Sequence, residues 1–138
     1  MQFDDLAVGQ VAELETLVTD GCIRQFAAAT GDVNPLHLDE AAGARTRFGG
    51  RIAHGMLSAG FISAVNGTKL PGFGAIYMTQ SLRFTRPVRI GDTITARVEI
   101  VELFPVKRRF RALTTCRNQR GELVLDGEAI ILLPDAGA

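Results

Sequence analysis

From Ala75 to Leu133 the chain runs in β-branched or alternating apolar and polar stretches, cut to strand length by punctuating residues. Four strands are expected there: Ala75 to Phe84, Thr93 to Leu103, Lys107 to Asn118 and Leu123 to Leu133. Pro87 to Asp92, Phe104-Pro105 and Gln119-Arg120-Gly121 mark the turns between them. Upstream, Val11 to Thr19 predicts a further strand, ended by Asp20-Gly21. Ile23 to Ala29 predicts a short helix with Ile23, Phe26 and Ala27 on one face. Asp39 to Thr46 predicts another, its Asp39 and Glu40 in the first turn, where the helix dipole favours carboxylates. Gly55 to Asn66 is the one long helix. Its apolar Met56, Leu57, Phe61, Ile62 and Val65 are separated by Ser58, Ala59, Gly60, Ser63 and Ala64. A helix apolar almost all round is buried on most sides, and small residues let a sheet wrap close to it. The pattern is α+β, one buried helix against a long antiparallel sheet.

No repeat, linker or low-complexity tract divides the 138 residues, so a single domain over 1–138 is expected. A hydrophobic content of 46% excludes disorder, and the absence of tryptophan with a single tyrosine offers no stacking platform for nucleic acid. Formal net charge is zero but segregated: residues 1–40 carry eight acidic and one basic side chain, residues 81–120 ten basic and three acidic. That asymmetry suits an anionic partner near the second half, or opposite charges paired across a sheet. Cys22 and Cys116 make no disulfide framework. The start, Met1-Gln2-Phe3-Asp4-Asp5, lacks the basic and apolar regions of a signal peptide, and no apolar run approaches membrane-spanning length. A cytoplasmic location without a membrane partner is the expectation.

Chemistry concentrates in Thr30-Gly31-Asp32-Val33-Asn34-Pro35-Leu36-His37. Pro35 pushes Asn34 out of helical geometry, so Asp32 and His37 sit on either side of a bend and can converge on one small molecule such as water. The second signal is Arg51-Ile52-Ala53-His54-Gly55-Met56-Leu57, which opens the long helix and holds the other of the chain's two histidines. Each residue has a plainer reading. Asp32 can form an Asx-turn with the backbone of Asn34, His37 between Leu36 and Leu38 can be a core histidine, and Asn34 shapes the turn. His54 reads as orienting the loop and helix start rather than as catalytic. A metal site lacks any ligand pair at a metal-binding spacing, and the Asp-x-Asn start breaks off at Pro35, unlike a calcium loop. No Gly-x-Ser-x-Gly or activated cysteine announces a nucleophile.

Phe26, Thr30, Gly31, Asp32, Asn34, Pro35, Leu36 and His37, followed by Ile52-Ala53-His54-Gly55-Met56, resemble the MaoC-like, R-specific enoyl-CoA hydratase family of hotdog-fold proteins. Leu6-Ala7-Val8-Gly9-Gln10, Leu70-Pro71-Gly72 and Pro87 to Asp92 extend the resemblance over nearly the whole chain. It implies a sheet wrapped around the central helix, two subunits sharing a continuous sheet, and no cofactor. It maps the water-holding pair onto Asp32 and His37, and the backbone donor to the thioester carbonyl onto Gly55. Ser63, Ile52 and Phe48 are the substrate-binding candidates. Arg51, where family members commonly carry proline, implies a looser loop. Hydration of a 2-enoyl thioester needs a base for the attacking water, an acid for C2 and a donor to the enolate-like oxygen. Asp32, His37 and a helix-start N–H at Gly55 answer those needs.

The implied activity is reversible hydration of 2-enoyl-CoA to (R)-3-hydroxyacyl-CoA. An acyl-carrier-protein dehydratase would use the same residues. A hotdog thioesterase places its carboxylate and histidine differently, and a non-catalytic thioester binder would have lost Asp32 or His37. Coenzyme A phosphates call for cations, which makes Arg83, Arg86, Lys107 and Arg108 candidates. An exposed sheet edge and the apolar helix favour at least a homodimer. Asn66, about one helical turn past Ser63, either limits a long acyl tail or points to solvent.

Overall fold

Period-two burial builds the sheet. The computed structural model describes residues 1–135, and positions 136–138 of the expected domain lie outside the described residues. Strand β1 (Val11–Leu17) is followed by helix α1 (Asp20–Thr30), two short helices α2 (Pro35–Leu38) and α3 (Glu40–Ala44), and the long helix α4 (Gly55–Thr68). Strands β2 (Ile76–Gln80), β3 (Arg83–Phe84), β4 (Thr93–Phe104), β5 (Arg109–Arg117) and β6 (Leu123–Leu132) complete the order. The antiparallel sheet runs β1-β4-β5-β6-β2, with β3 pairing β6 beyond β2. In β4, Ile94, Ala96, Val98 and Ile100 point inward, and Phe110, Ala112, Thr114 and Cys116 do so in β5. Ser58, Ile62, Val65 and Asn66 of α4 face them from the other side. The Cys116 thiol reaches the Ser58 carbonyl at 3.5 Å, and burial pushes its pKa up to about 12. It is a packing group. Cys22 lies in the first turn of α1, its backbone N–H bonded to the Thr19 hydroxyl at 3.0 Å.

The departures from the sequence reading are local. The first strand stops at Leu17, because Thr19 caps α1 and the helix starts at Asp20. The expected helix from Asp39 begins at Glu40, with the Asp39 carboxylate capping it by accepting from the Ala41 N–H at 3.0 Å. The expected strand Ala75 to Phe84 is two strands, broken at Ser81 and Leu82. At that break the Ser81 carbonyl passes so close to Gly127 of β6 that a Cβ there would meet it at 1.8 Å. Pro105–Lys107 forms a tight 3-10 turn, so β5 begins at Arg109. Among the described residues, no helix is long and apolar enough to cross a membrane.

Candidate functional site

The two sequence motifs meet at the N-terminus of α4. Helix α1 ends at Gly31, whose left-handed φ of 79° sends the chain back toward α4. The Thr30 hydroxyl donates to the Phe26 carbonyl at 2.8 Å and accepts the Asp32 N–H at 3.2 Å, which fixes the turn. Asn34 then caps α2, accepting the Leu36 N–H at 3.1 Å, with Pro35 at the first helical position. The Asx contact of Asp32 with the Asn34 N–H is long, 3.4 Å, and the carboxylate is exposed. Asn34 is the turn-shaping residue. Asp32 is left with most of its hydrogen-bonding capacity free.

His37 is 9% exposed. Its Nδ1 lies 2.7 Å from the Ile52 carbonyl, which can only accept, so Nδ1 carries a proton and in the neutral ring Nε2 keeps its lone pair. His54, 2% exposed, does the reverse: its Nε2 lies 2.9 Å from the Asp32 carbonyl and must donate there. The two rings stack with centroids 3.9 Å apart, and Phe26 lies against the far side of His54 at 4.7 Å. Side-chain ligand atoms of Asp32, His37 and His54 lie within 4.8 Å of one another. One nitrogen of each ring is committed to a backbone carbonyl, which leaves the other nitrogen of each for different chemistry.

Arg51 corrects the expectation of a looser loop. Its Nε donates to the His37 carbonyl at 2.8 Å and its Nη2 to the Asp20 carboxylate at 2.6 Å, with the side chain 11% exposed. Arg51, and then Arg24, hold the Asp20 carboxyl below its ordinary value. A proline at position 51 could make neither bond. The loop is clamped.

Gly55 starts α4, and no side chain caps that end. Its N–H is one of the first-turn donors that a helix cannot satisfy internally. A Cβ at Gly55 would meet the Phe84 ring at 2.7 Å, so the position admits only glycine while Phe84 stays in place.

Two cavities flank this point, and Met56 lines both. One, of about 400 Å³, is lined by Gly55, Phe48, Ile52 and Phe84, with Arg47 and Arg86 on its wall. The other, of about 670 Å³, is mostly apolar and is lined by Asp32, Phe26, Ser63, Tyr77, Gln80 and Leu82. The expected binding residues thus divide: Phe48 and Ile52 on one side, Ser63 on the other. Asn66 is 2% exposed, which removes the solvent-facing alternative. Its amide stands beside Tyr77 without a fully formed hydrogen bond. Burial pushes the Tyr77 phenol above its ordinary value, the Asn66 amide works the other way, and the hydroxyl donates to Gln80 Oε1.

The basic excess of residues 81–120 is largely neutralised on the sheet. Arg83 pairs with Asp126 at 2.9 Å, Arg86 with Glu122 at 3.2 Å, Arg108 with Asp135 at 2.8 Å and Arg111 with Glu102 at 3.1 Å. Lys107 and Arg108 also lie at the far end of β4, a 12-residue strand, from the Val88–Asp92 segment that holds Ala53. At about 3.3 Å per residue that is on the order of 40 Å along the strand. Of the four expected phosphate ligands only Arg86 lines a cavity beside Gly55. Arg47, which lies outside the basic stretch, also lines that cavity. Among the described residues it makes no ion pair, and its guanidinium lies 5.3 Å from the centre of the Phe48 ring.

Residues 7–120 match the family described as MaoC like domain. The chain is 50% identical over 134 residues to a 3-hydroxybutyryl-CoA dehydratase of Methylorubrum extorquens, covering 97% of this chain and 85% of that protein. It is 50% identical over 135 residues to an (R)-specific enoyl-CoA hydratase of Rhodospirillum rubrum, covering 98% and 93%. The solved (R)-hydratase of Aeromonas caviae superimposes with a TM-score of 0.90 at 44% identity, over 94% of this chain and 98% of that one. Family match, identity and a sheet wrapped on one central helix agree: the chain is a hotdog-fold protein and belongs to the MaoC-like family.

Proposed function

We propose that this protein is an (R)-specific enoyl-CoA hydratase, a hydro-lyase that reversibly adds water across the C2–C3 double bond of a 2-enoyl-CoA. The carrying observation is that side-chain ligand atoms of Asp32, His37 and His54 lie within 4.8 Å of one another at the start of α4, where Asp32 lines one cavity, Gly55 the other and Met56 both. The exposed Asp32 carboxylate and His37 Nε2 are both acceptors, so a water donating to both turns a lone pair toward C3. As its oxygen bonds to C3, one of the pair takes a water proton and the C2–C3 π electrons move toward the thioester. The Gly55 N–H, aided by the α4 dipole, stabilises the enolate-like oxygen. A proton returned to C2 completes the 3-hydroxyacyl thioester. Each proton transfer is worth about 10²–10⁴-fold.

The mostly apolar cavity beside Asp32 suits the acyl group, and the cavity with Arg47 and Arg86 suits the coenzyme A end. Residues 1–138 act as one catalytic domain in this reading, in a cytoplasmic homodimer. The test follows loss of the enoyl-thioester absorbance with crotonyl-CoA. Asp32→Asn and His37→Gln should each lower turnover by at least about 10²-fold with the fold retained, and the double variant should lose far less than the product. Either single variant working near the wild-type rate overturns the assignment.

A further inference from the structure

His54 is left without a task by the reaction itself, yet it is among the most constrained side chains in the site. It is 2% exposed and lies between Phe26 and His37. Its Nδ1 is buried and, among the described residues, without a hydrogen-bond partner, while its Nε2 meets the Asp32 carbonyl at 2.9 Å. A buried ring nitrogen with nothing to bond is costly, and other ring residues would fill the same stack without that cost. Phenylalanine would keep the contact with Phe26 and His37. What it could not supply is the N–H to the Asp32 carbonyl.

We propose that His54 is a positioning residue for the hydration reaction: its Nε2–H fixes the backbone of Asp32 while its ring face fixes the plane of His37. This rests on the reading of Asp32 and His37 as the proton-transfer pair. Asp32 lies on an exposed turn whose own Asx contact is long, so the turn alone does not hold its carboxylate. The His54 donor ties that turn to the start of α4, from which the Gly55 N–H also projects. One residue therefore sets three distances: carboxylate to imidazole, carboxylate to oxyanion donor, and imidazole to the helix start. Misplacement on the order of 1 Å among such groups costs about 10²-fold in rate. The arrangement also requires opposite tautomers, Nδ1–H at His37 and Nε2–H at His54, because each faces a carbonyl through a different nitrogen.

The chain has two histidines, so selective ¹⁵N-histidine labelling reads both tautomers in the unmodified protein, with His37→Gln assigning the signals. One Nδ1–H and one Nε2–H ring are expected, and two rings in the same tautomer overturn the inference. In parallel, His54→Phe keeps the stack and removes the donor, and His54→Gln keeps a donor of similar reach and removes the ring. His54→Phe should lower kcat at least about tenfold with KM changed less than about threefold, and His54→Gln, which restores the donor but not the ring face, should recover part of kcat. A folded His54→Phe with wild-type kcat, or a folded His54→Gln no better than His54→Phe, overturns it. Asp32→Asn in the same assay separates the two levels. If it stays active the reading of the pair fails, and if it is dead while His54→Phe is active only the role of His54 fails. The labelling result stands on its own if either variant does not fold.

Discussion

The Arg51 guanidinium donates to the backbone carbonyl of His37 at 2.8 Å, so a residue 14 positions downstream determines where the candidate proton acceptor sits. The same guanidinium reaches Asp20 at the start of α1, which joins α1, α2 and the loop before α4 in one latch. Arg51→Ala should lower kcat more than it raises KM, because the lost contact positions a reacting group and touches no substrate. Equal kcat in the purified variant would show that the latch is dispensable.

The latch has a pH dependence of definite sign. Arg51 first, and Arg24 second, hold the Asp20 carboxyl below its ordinary value of 3.8. A carboxyl with a depressed folded pKa adds stability that is fully present above the unfolded value and lost as pH falls through the folded one. The contribution is therefore intact from neutral pH down to the ordinary carboxylate range, and it disappears below that range. Asp20→Asn removes it at every pH. Melting temperatures of the two proteins should differ at pH 6, and the gap should narrow as pH falls below the ordinary aspartate value of 3.8. A constant gap across that window would mean that Asp20 acts by packing or by its helix-start position, not by its charge.

Gly55 and Phe84 should be coupled. Alanine at 55 places a Cβ 2.7 Å from the Phe84 ring, and that ring, 51% exposed, has room to swing outward. Gly55→Ala should therefore fold but lose turnover, since the displaced ring lies in the cavity beside the N–H donor. Phe84→Ala in the same chain should restore part of the rate. Multiplicative losses in the double variant would show that the ring is not the obstacle.

The sheet, the central helix and the two motifs were legible because each depends on local periodicity or turn chemistry. Alternation in Thr93–Phe104 and the small-and-apolar run of Gly55–Thr68 carry their own burial pattern. Interactions set by register were not legible. The charge asymmetry left a ligand surface and pairing across the sheet both open; Arg83 lies directly opposite Asp126, and Arg111 opposite Glu102, so these two are cross-strand ion pairs. The break at Ser81 has its cause 46 positions away, at Gly127. Arg51 was read only as a departure from proline, because its partners at Asp20 and His37 come near it only in the fold.

Arg47 is the cation expected to matter for the coenzyme. It lines the cavity beside Gly55 and, among the described residues, has no ion pair to break, whereas Arg83, Arg86 and Arg108 are engaged by carboxylates. Arg47→Ala should raise KM for enoyl-CoA with little change in kcat, and should weaken the dependence of KM on ionic strength. An enoyl thioester of N-acetylcysteamine, which lacks phosphates, should be handled alike by variant and wild type. Equal loss with both substrates would locate the effect in the pocket shape and not in phosphate recognition.

The two edges of the sheet differ in a way that selects one for assembly. Edge strand β1 carries Glu13 and Glu15, charges that oppose pairing with another strand. Edge strand β2, Ile76-Tyr77-Met78-Thr79-Gln80, carries no charge and exposes Ile76, Tyr77 and Met78 at 46%, 38% and 41%. Tyr77 and Gln80 of that strand also line the larger cavity, so a partner laid along β2 would cover the acyl site as well as the edge. Pairing β2 with the β2 of a second copy about a two-fold axis satisfies the unpaired backbone groups and buries the apolar side chains together. The protein should therefore be at least a dimer by light scattering at micromolar concentration. Met78→Lys, which puts like charges near the axis, should shift it toward monomer. Activity should fall in step with dissociation and recover as protein concentration rises. A wild-type monomer with full hydratase activity at micromolar concentration would sink the assembly, and Met78→Lys remaining a dimer would move the interface off β2.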